Sequence, residues 1–115
     1  QLVIGYLNAY RLEDPITTLQ HAGWQLLRGA RLDKNGAVHW SYVFKGRSGS
    51  LDHALASKTL ADKLVQFEHW HINADEPAVL DYNTEHKSKA QLKNLYAPTP
   101  FRSSDHDPLV MDFKF

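Results

Sequence analysis

What most restricts this chain is the length of its apolar runs. Leu2-Val3-Ile4-Gly5-Tyr6-Leu7 and the segments 38–44, 51–56, 65–72 and 108–115 are all of strand length, while residues 73–104 are polar and punctuated by proline. Runs of this size, bounded by turn residues, read as strands. The first is apolar throughout, which suits a strand buried on both faces. Two helices interrupt the pattern. Asp14-Pro15 predicts a helix start, with the carboxylate as N-cap, proline at the first helical position and Gly23 as the C′ residue. Ser57 predicts a second start, continuing through Leu60, Ala61 and Leu64, and a short helix is expected near 88–95. Residues 24–27 suit a short strand or packing segment. Turns at Asp33-Lys34-Asn35-Gly36 and at 46–49 predict that 38–44 and 51–56 form a hairpin. The order of elements points to a mixed α/β or α+β layer structure.

Composition removes several function classes. Thirteen basic residues balance thirteen acidic ones in 115, so no global field draws in nucleic acid or an anionic membrane. No apolar run approaches the ~20 residues of a membrane helix. The absence of cysteine excludes a disulfide scaffold, a thiolate zinc site and a cysteine nucleophile, and leaves the compartment open. The chain enters its first strand with no polar lead-in, so the expectation is that it is one piece of a larger functional unit.

Three clusters could carry chemistry. The densest is Arg102-Ser103-Ser104-Asp105-His106-Asp107-Pro108, before the last strand. Its carboxylates and imidazole could serve as metal ligand and acid/base; a solvated turn with local backbone bonds is the alternative. In Ser50-Leu51-Asp52-His53-Ala54-Leu55-Ala56-Ser57, Asp52 and His53 fall on opposite faces of one strand. A buried aspartate there needs a partner, and a histidine is a natural one; an edge strand with Asp52 in water is the alternative. Asn8, leaving the first strand, stands where open α/β sheets commonly carry sites, or it simply forms a turn. His69 and His71, two apart on one strand face, are compatible with a shared metal or with a partly exposed face. Asp75, Glu76 and Asp81 are oxygen donors on an acidic loop.

Taken in order, Gly5-x-Leu7-Asn8, Leu51-Asp52-His53 and Ser104-Asp105-His106-Asp107-Pro108 resemble the C-terminal half of an endonuclease/exonuclease/phosphatase domain, the DNase I-like superfamily. Tyr42-Val43-Phe44, His71-Ile72-Asn73-Ala74-Asp75-Glu76-Pro77 and Asp81-Tyr82-Asn83 are similar to stretches of its secreted bacterial DNases, and the resemblance spans essentially residues 1–115. It implies half of a four-layer α/β sandwich, a mixed sheet with flanking helices. The implied activity is phosphodiester hydrolysis of nucleic acid, DNA more than RNA, assisted by Mg2+ or Mn2+, in a secreted or periplasmic protein. On the matching positions, His106 would contact the scissile phosphate and Asp52 would orient it. Asp105 would stand at the metal, and Asn8 would bind the phosphate in the transition state. Arg102 and Ser104 are expected beside them as substrate contacts.

The chain also departs from that pattern. Tyr6 stands where the family motif has an aspartate that orients or deprotonates water, and a phenol of pKa ~10 is a poor substitute. Losing a general base typically costs about 10²–10⁴-fold. The glutamate, further asparagine and second histidine of the family's N-terminal half have no counterpart here. The alternative is therefore a catalytically inactive nucleic-acid or protein-binding module of the same fold. A half-domain would also leave its inner apolar face open, which predicts self-association or pairing with the missing N-terminal half.

Overall fold

The computed structural model describes residues 1–28 and 39–115; the turn expected at 33–36 and the start of the strand expected from Val38 lie outside them. The elements are β1 (Leu2–Tyr6), α1 (Asp14–His21), β2 (Gln25–Leu26), β3 (Tyr42–Phe44), β4 (Arg47–Gly49), β5 (Asp52–Ala56), α2 (Lys58–Ala61), β6 (Leu64–His69), a 3-10 turn (Ala78–Leu80), α3 (Lys89–Asn94) and β7 (Leu109–Phe113). The class is mixed α/β. Among the described residues the strands make three small sheets, β1-β5-β2, β3-β4 and β6-β7, each antiparallel where a mixed sheet was expected.

β5 lies between β1 and β2, and all five of its residues are buried. Alternation sends Asp52, Ala54 and Ala56 to one face and His53 and Leu55 to the other. Ala54 and Ala56 meet Leu27 and Phe67 in the core, closed by Leu60, Ala61, Leu64, Leu109, Met111 and Phe113 from α2, β6 and β7. Small side chains on β5 let the second sheet approach closely. Asp52 therefore sits at the end of a core face, where an unpaired carboxylate would be costly.

The expectation of a doubly buried first strand is corrected. In the β1–β5 ladder, Leu2, Ile4 and Tyr6 lie opposite Ala56, Ala54 and Asp52, so they share the core-facing side. Yet they are 40%, 50% and 58% exposed, because the β6–β7 sheet covers β5 and stops short of the edge strand. The inner face of β1 is an open apolar stripe.

The hairpin is also reassigned. Residues 47–49 are not a turn: they form β4, which pairs with β3 across the two-residue loop Lys45-Gly46, with φ of 48° and 75°. Positive φ at both positions gives a type I′ turn, whose twist suits adjoining antiparallel strands. β5, freed from that pairing, becomes the centre of the other sheet. In α1 the N-cap is Glu13 rather than Asp14, and Gly23 at φ 95° closes the helix, with Trp24 N–H donating to Leu19 O at 3.1 Å. Ser57 does precede α2, but its hydroxyl accepts from the Gln1 amino group, and the helix ends at Ala61. α3 starts as expected, with a capping box between Ser88 and Gln91.

Candidate functional site

The last loop carries His106 to the mouth of β5. His106 Nδ1 donates to Asp52 Oδ2 at 2.6 Å, joining residues 54 positions apart. Both side chains are largely buried, at 14% and 10% exposure. The imidazole lies on Tyr42 (centroids 4.6 Å, 23° between planes) and meets Tyr6 edge-on at 4.4 Å. Tyr42 and His106 also form a backbone bridge, so strand pairing and ring stacking hold the histidine together. With Nδ1–H committed to a carboxylate, Nε2 is the nitrogen left to take or give a proton.

Ser41, fully buried, secures the other side of the pair. Its hydroxyl accepts from Leu51 N and Asp52 N at 3.1 and 3.2 Å, and its carbonyl accepts from Asp107 N at 2.8 Å. One serine thus ties the approach to β3, the start of β5 and the loop bearing His106.

Asp107 is the residue that sequence reasoning left without a role. Its side chain is fully buried. Oδ1 accepts from three successive amides, Ile72, Asn73 and Ala74, at 3.1, 2.8 and 3.0 Å. Oδ2 accepts from His71 Nδ1 at 2.7 Å. His71, 36% exposed, stacks on Trp40 at 4.3 Å and 22°, and Trp40 Nε1 donates to Asp75 Oδ2 at 3.2 Å. The site therefore contains a second oriented His–Asp pair. The available signal was alternation: around His106, the side chain of residue 107 must turn the other way and find its own partner.

The remaining expected residues divide. Asn8 leaves β1 in the left-handed region at φ 49°, exposed, as a turn-former would. Asp105 is half-buried, and its carboxylate makes no hydrogen bond among the described residues. Ser104 Oγ accepts from His106 N at 3.0 Å, which shapes the loop. Arg102, expected as a substrate contact, is built in as a buried clamp. It is 8% exposed, at φ 56°, and its Nη1 donates to Asn73 O at 2.7 Å while Nη2 reaches Asp81 Oδ2 at 3.4 Å. The long loop would otherwise bury carbonyls without donors. Asn73 completes the clamp, donating to His106 O at 2.7 Å and accepting from Ser103 N at 3.1 Å.

His53 and Asp52 do lie on opposite faces of β5. His53 Nε2 donates to Ala9 O at 2.7 Å, so this histidine anchors the loop after β1. His69 and His71 stack at 6.5 Å between centroids, but Asp107 occupies His71 Nδ1 and Ser50 Oγ lies 3.3 Å from His69 Nε2. Burial lowers the pKa of His69 below 6.5, with His39 and His71 adding to that and Asp52 opposing it. Among the described residues, no three His, Cys, Asp or Glu side chains converge as a metal cluster.

Chemically, the arrangement offers an imidazole fixed by a buried carboxylate, with a second such pair beside it. It can hold a proton at a set position. Comparison with family models, curated proteins and solved structures finds no match to this chain.

Proposed function

We propose that this chain is part of the active face of a metal-assisted phosphodiesterase acting on nucleic acid, DNA in preference to RNA, and that it is the C-terminal half of a DNase I-like four-layer sandwich. The Asp52–His106 hydrogen bond carries this reading: the two residues that the resemblance pairs for catalysis meet at 2.6 Å across 54 positions. In it, His106 Nε2 engages the scissile phosphate and Asp52 holds the ring. Asn8 donates to the phosphate as charge grows on it, which lowers the barrier only if the donor is already in place. The open stripe of Leu2, Ile4 and Tyr6 supports the sandwich, because a facing layer from a second copy or an N-terminal half would bury it.

Asp105 fits a hard divalent cation, being a half-buried carboxylate with no hydrogen-bond partner among the described residues. Magnesium is commonly held by one or two carboxylates together with substrate phosphates, so a full protein cage is not required. Such an ion, Mg2+ or Mn2+, would supply charge neutralisation at the phosphoryl oxygens. A secreted or periplasmic location rests on the resemblance alone. No helix of the described residues is long and apolar enough to cross a membrane.

Tyr6 favours a second reading, a binding module without catalysis. It lies directly opposite Asp52 in the ladder, and its ring packs on His106 at 4.4 Å, next to where water and phosphate would stand. Nicking of supercoiled plasmid with Mg2+ or Mn2+ separates the two. Tyr6→Asp is expected to raise nicking by about 10²–10⁴-fold. If neither protein nicks, even with an N-terminal half supplied, the nuclease reading fails.

A further inference from the structure

Trp40, Tyr42 and Phe44 fall at every second position of the segment entering and forming β3. Trp40 stacks on His71 and Tyr42 on His106, and Ser41, fully buried, lies between those two rings in sequence. Ser41 reaches both His–Asp pairs, and it does so through different atoms. Its hydroxyl accepts from Leu51 N and Asp52 N at 3.1 and 3.2 Å. Its carbonyl accepts from Asp107 N at 2.8 Å, and its own N–H is tied to Gly49 O at 3.1 Å. The side chain therefore holds the backbone of one aspartate, and the main chain holds that of the other.

The hydroxyl takes a place that the sheet leaves open. β2 pairs with β5 only at Ala56 and Leu55, and Leu27 N–H extends the contact as far as Ala54 O at 2.8 Å. Asp52, the first residue of β5, lies beyond that end, so β2 supplies no acceptor for its N–H. Leu51 and Asp52 are both buried, and a buried N–H without an acceptor is costly. A hydroxyl oxygen has two lone pairs, which suits it to take both amides. From the backbone fixed in this way, the short Asp52 side chain meets His106 Nδ1 at 2.6 Å.

We propose that Ser41 is a positioning residue: its hydroxyl sets the Asp52 carboxylate against His106, while its carbonyl sets Asp107 against His71. What the Asp52–His106 pair does rests on the phosphodiesterase reading; Ser41 adds the group that aligns it. Substitution at this position removes the first role and keeps the second, so the two pairs should respond differently.

Proton NMR of the full chain at a single neutral pH reads both pairs. A proton in a short hydrogen bond to a carboxylate resonates at low field, and His106→Gln and His71→Gln each identify one Nδ1 proton by its loss. Ser41→Ala removes the acceptor, and Ser41→Cys, closer in volume and only a weak acceptor, gives the reading if the alanine variant does not fold. Either should shift the His106 resonance upfield or lose it to exchange, and leave the His71 resonance in place. Ser88→Ala, which weakens α3 at its cap, controls for lost stability and should leave both. The proposal is overturned if the parent shows no low-field resonance from His106, if the Ser41 variants leave that resonance unmoved, if they move both resonances equally, or if Ser88→Ala moves it as far. Plasmid nicking reads the chemistry separately. In a Tyr6→Asp protein that nicks, adding Ser41→Cys should slow nicking by up to about 10²-fold, and an undiminished rate overturns the positioning role. A shifted His106 resonance with no nicking by any of these proteins supports the alignment and counts against the nuclease reading alone.

Discussion

Replacing Asp107 by alanine tests whether one buried carboxylate organises the site. Its Oδ1 is the acceptor for Ile72, Asn73 and Ala74 N–H, and all three residues are at most 6% exposed. A buried donor stripped of its acceptor costs about 1–3 kcal/mol. Three such donors, partly relieved by water entering the vacated volume, and the loss of the His71 partner place the penalty at about 3–5 kcal/mol. That is a large part of the ~5–15 kcal/mol that holds a small domain together. Asp107→Asn keeps one oxygen for the three amides and loses the charge and the His71 acceptor, so about 1–2 kcal/mol is expected. Urea denaturation followed by tryptophan fluorescence suits the measurement, because Trp40 stacks on the histidine that Asp107 holds. If Asp107→Ala fails to fold, the milder asparagine variant still gives a value. An alanine variant within about 1 kcal/mol of the parent would refute the reasoning, and asparagine as damaging as alanine would refute the assigned order of effects.

Other consequences are simpler to read. Ser88→Ala removes the acceptor of the α3 capping box and should cost about 1 kcal/mol, measured as a lower urea midpoint. Gly46→Ala places a side chain at φ 75° in the β3–β4 turn and should cost about 1–2 kcal/mol, while Lys45→Gly relieves strain at φ 48°. His69 has a folded-state pKa held below 6.5 by burial, so the unfolded chain binds more protons as pH falls through that value. Its contribution is whole above pH 6.5 and is lost on acidification towards the lowered folded value. His69→Gln should therefore flatten the fall in stability between neutral and mildly acidic pH; an unchanged slope in denaturation curves would remove His69 as its source.

Local chemistry explains what was legible in the sequence. The α3 start could be read because Ser88 and Gln91 satisfy each other within one turn, and Gly23 could be read as a helix end because the C′ position needs positive φ. The hairpin was misplaced because its turn is only Lys45-Gly46. A lysine at φ 48° has no compositional mark, and the glycines at 46 and 49 suggested a longer loop between longer strands. The edge character of β1 was hidden too. Its apolar run is the same whether a second sheet covers it or stops one strand short, and only the pairing of Leu2, Ile4 and Tyr6 with β5 decides that.

The site follows the same division. Asp52 was legible as a carboxylate on an apolar strand that must find a partner, and motif order suggested His106. The clamp formed by Arg102 was not legible because its neighbours in sequence are polar, whereas its neighbours in space are the carbonyl of Asn73 and the carboxylate of Asp81. A long loop packed against sheets needs internal donors, and a guanidinium is the side chain with most to give. Net charge is silent about the site for a related reason. It sums over all faces, so thirteen basic and thirteen acidic residues argue against a field around the whole molecule and say nothing about one strand. On β3 and its approach, period-2 spacing sets three rings on one side, and topology delivers His71, His106 and Lys45 to them. Two of these side chains, His71 and His106, are oriented by carboxylates, Asp107 and Asp52, that are buried behind them.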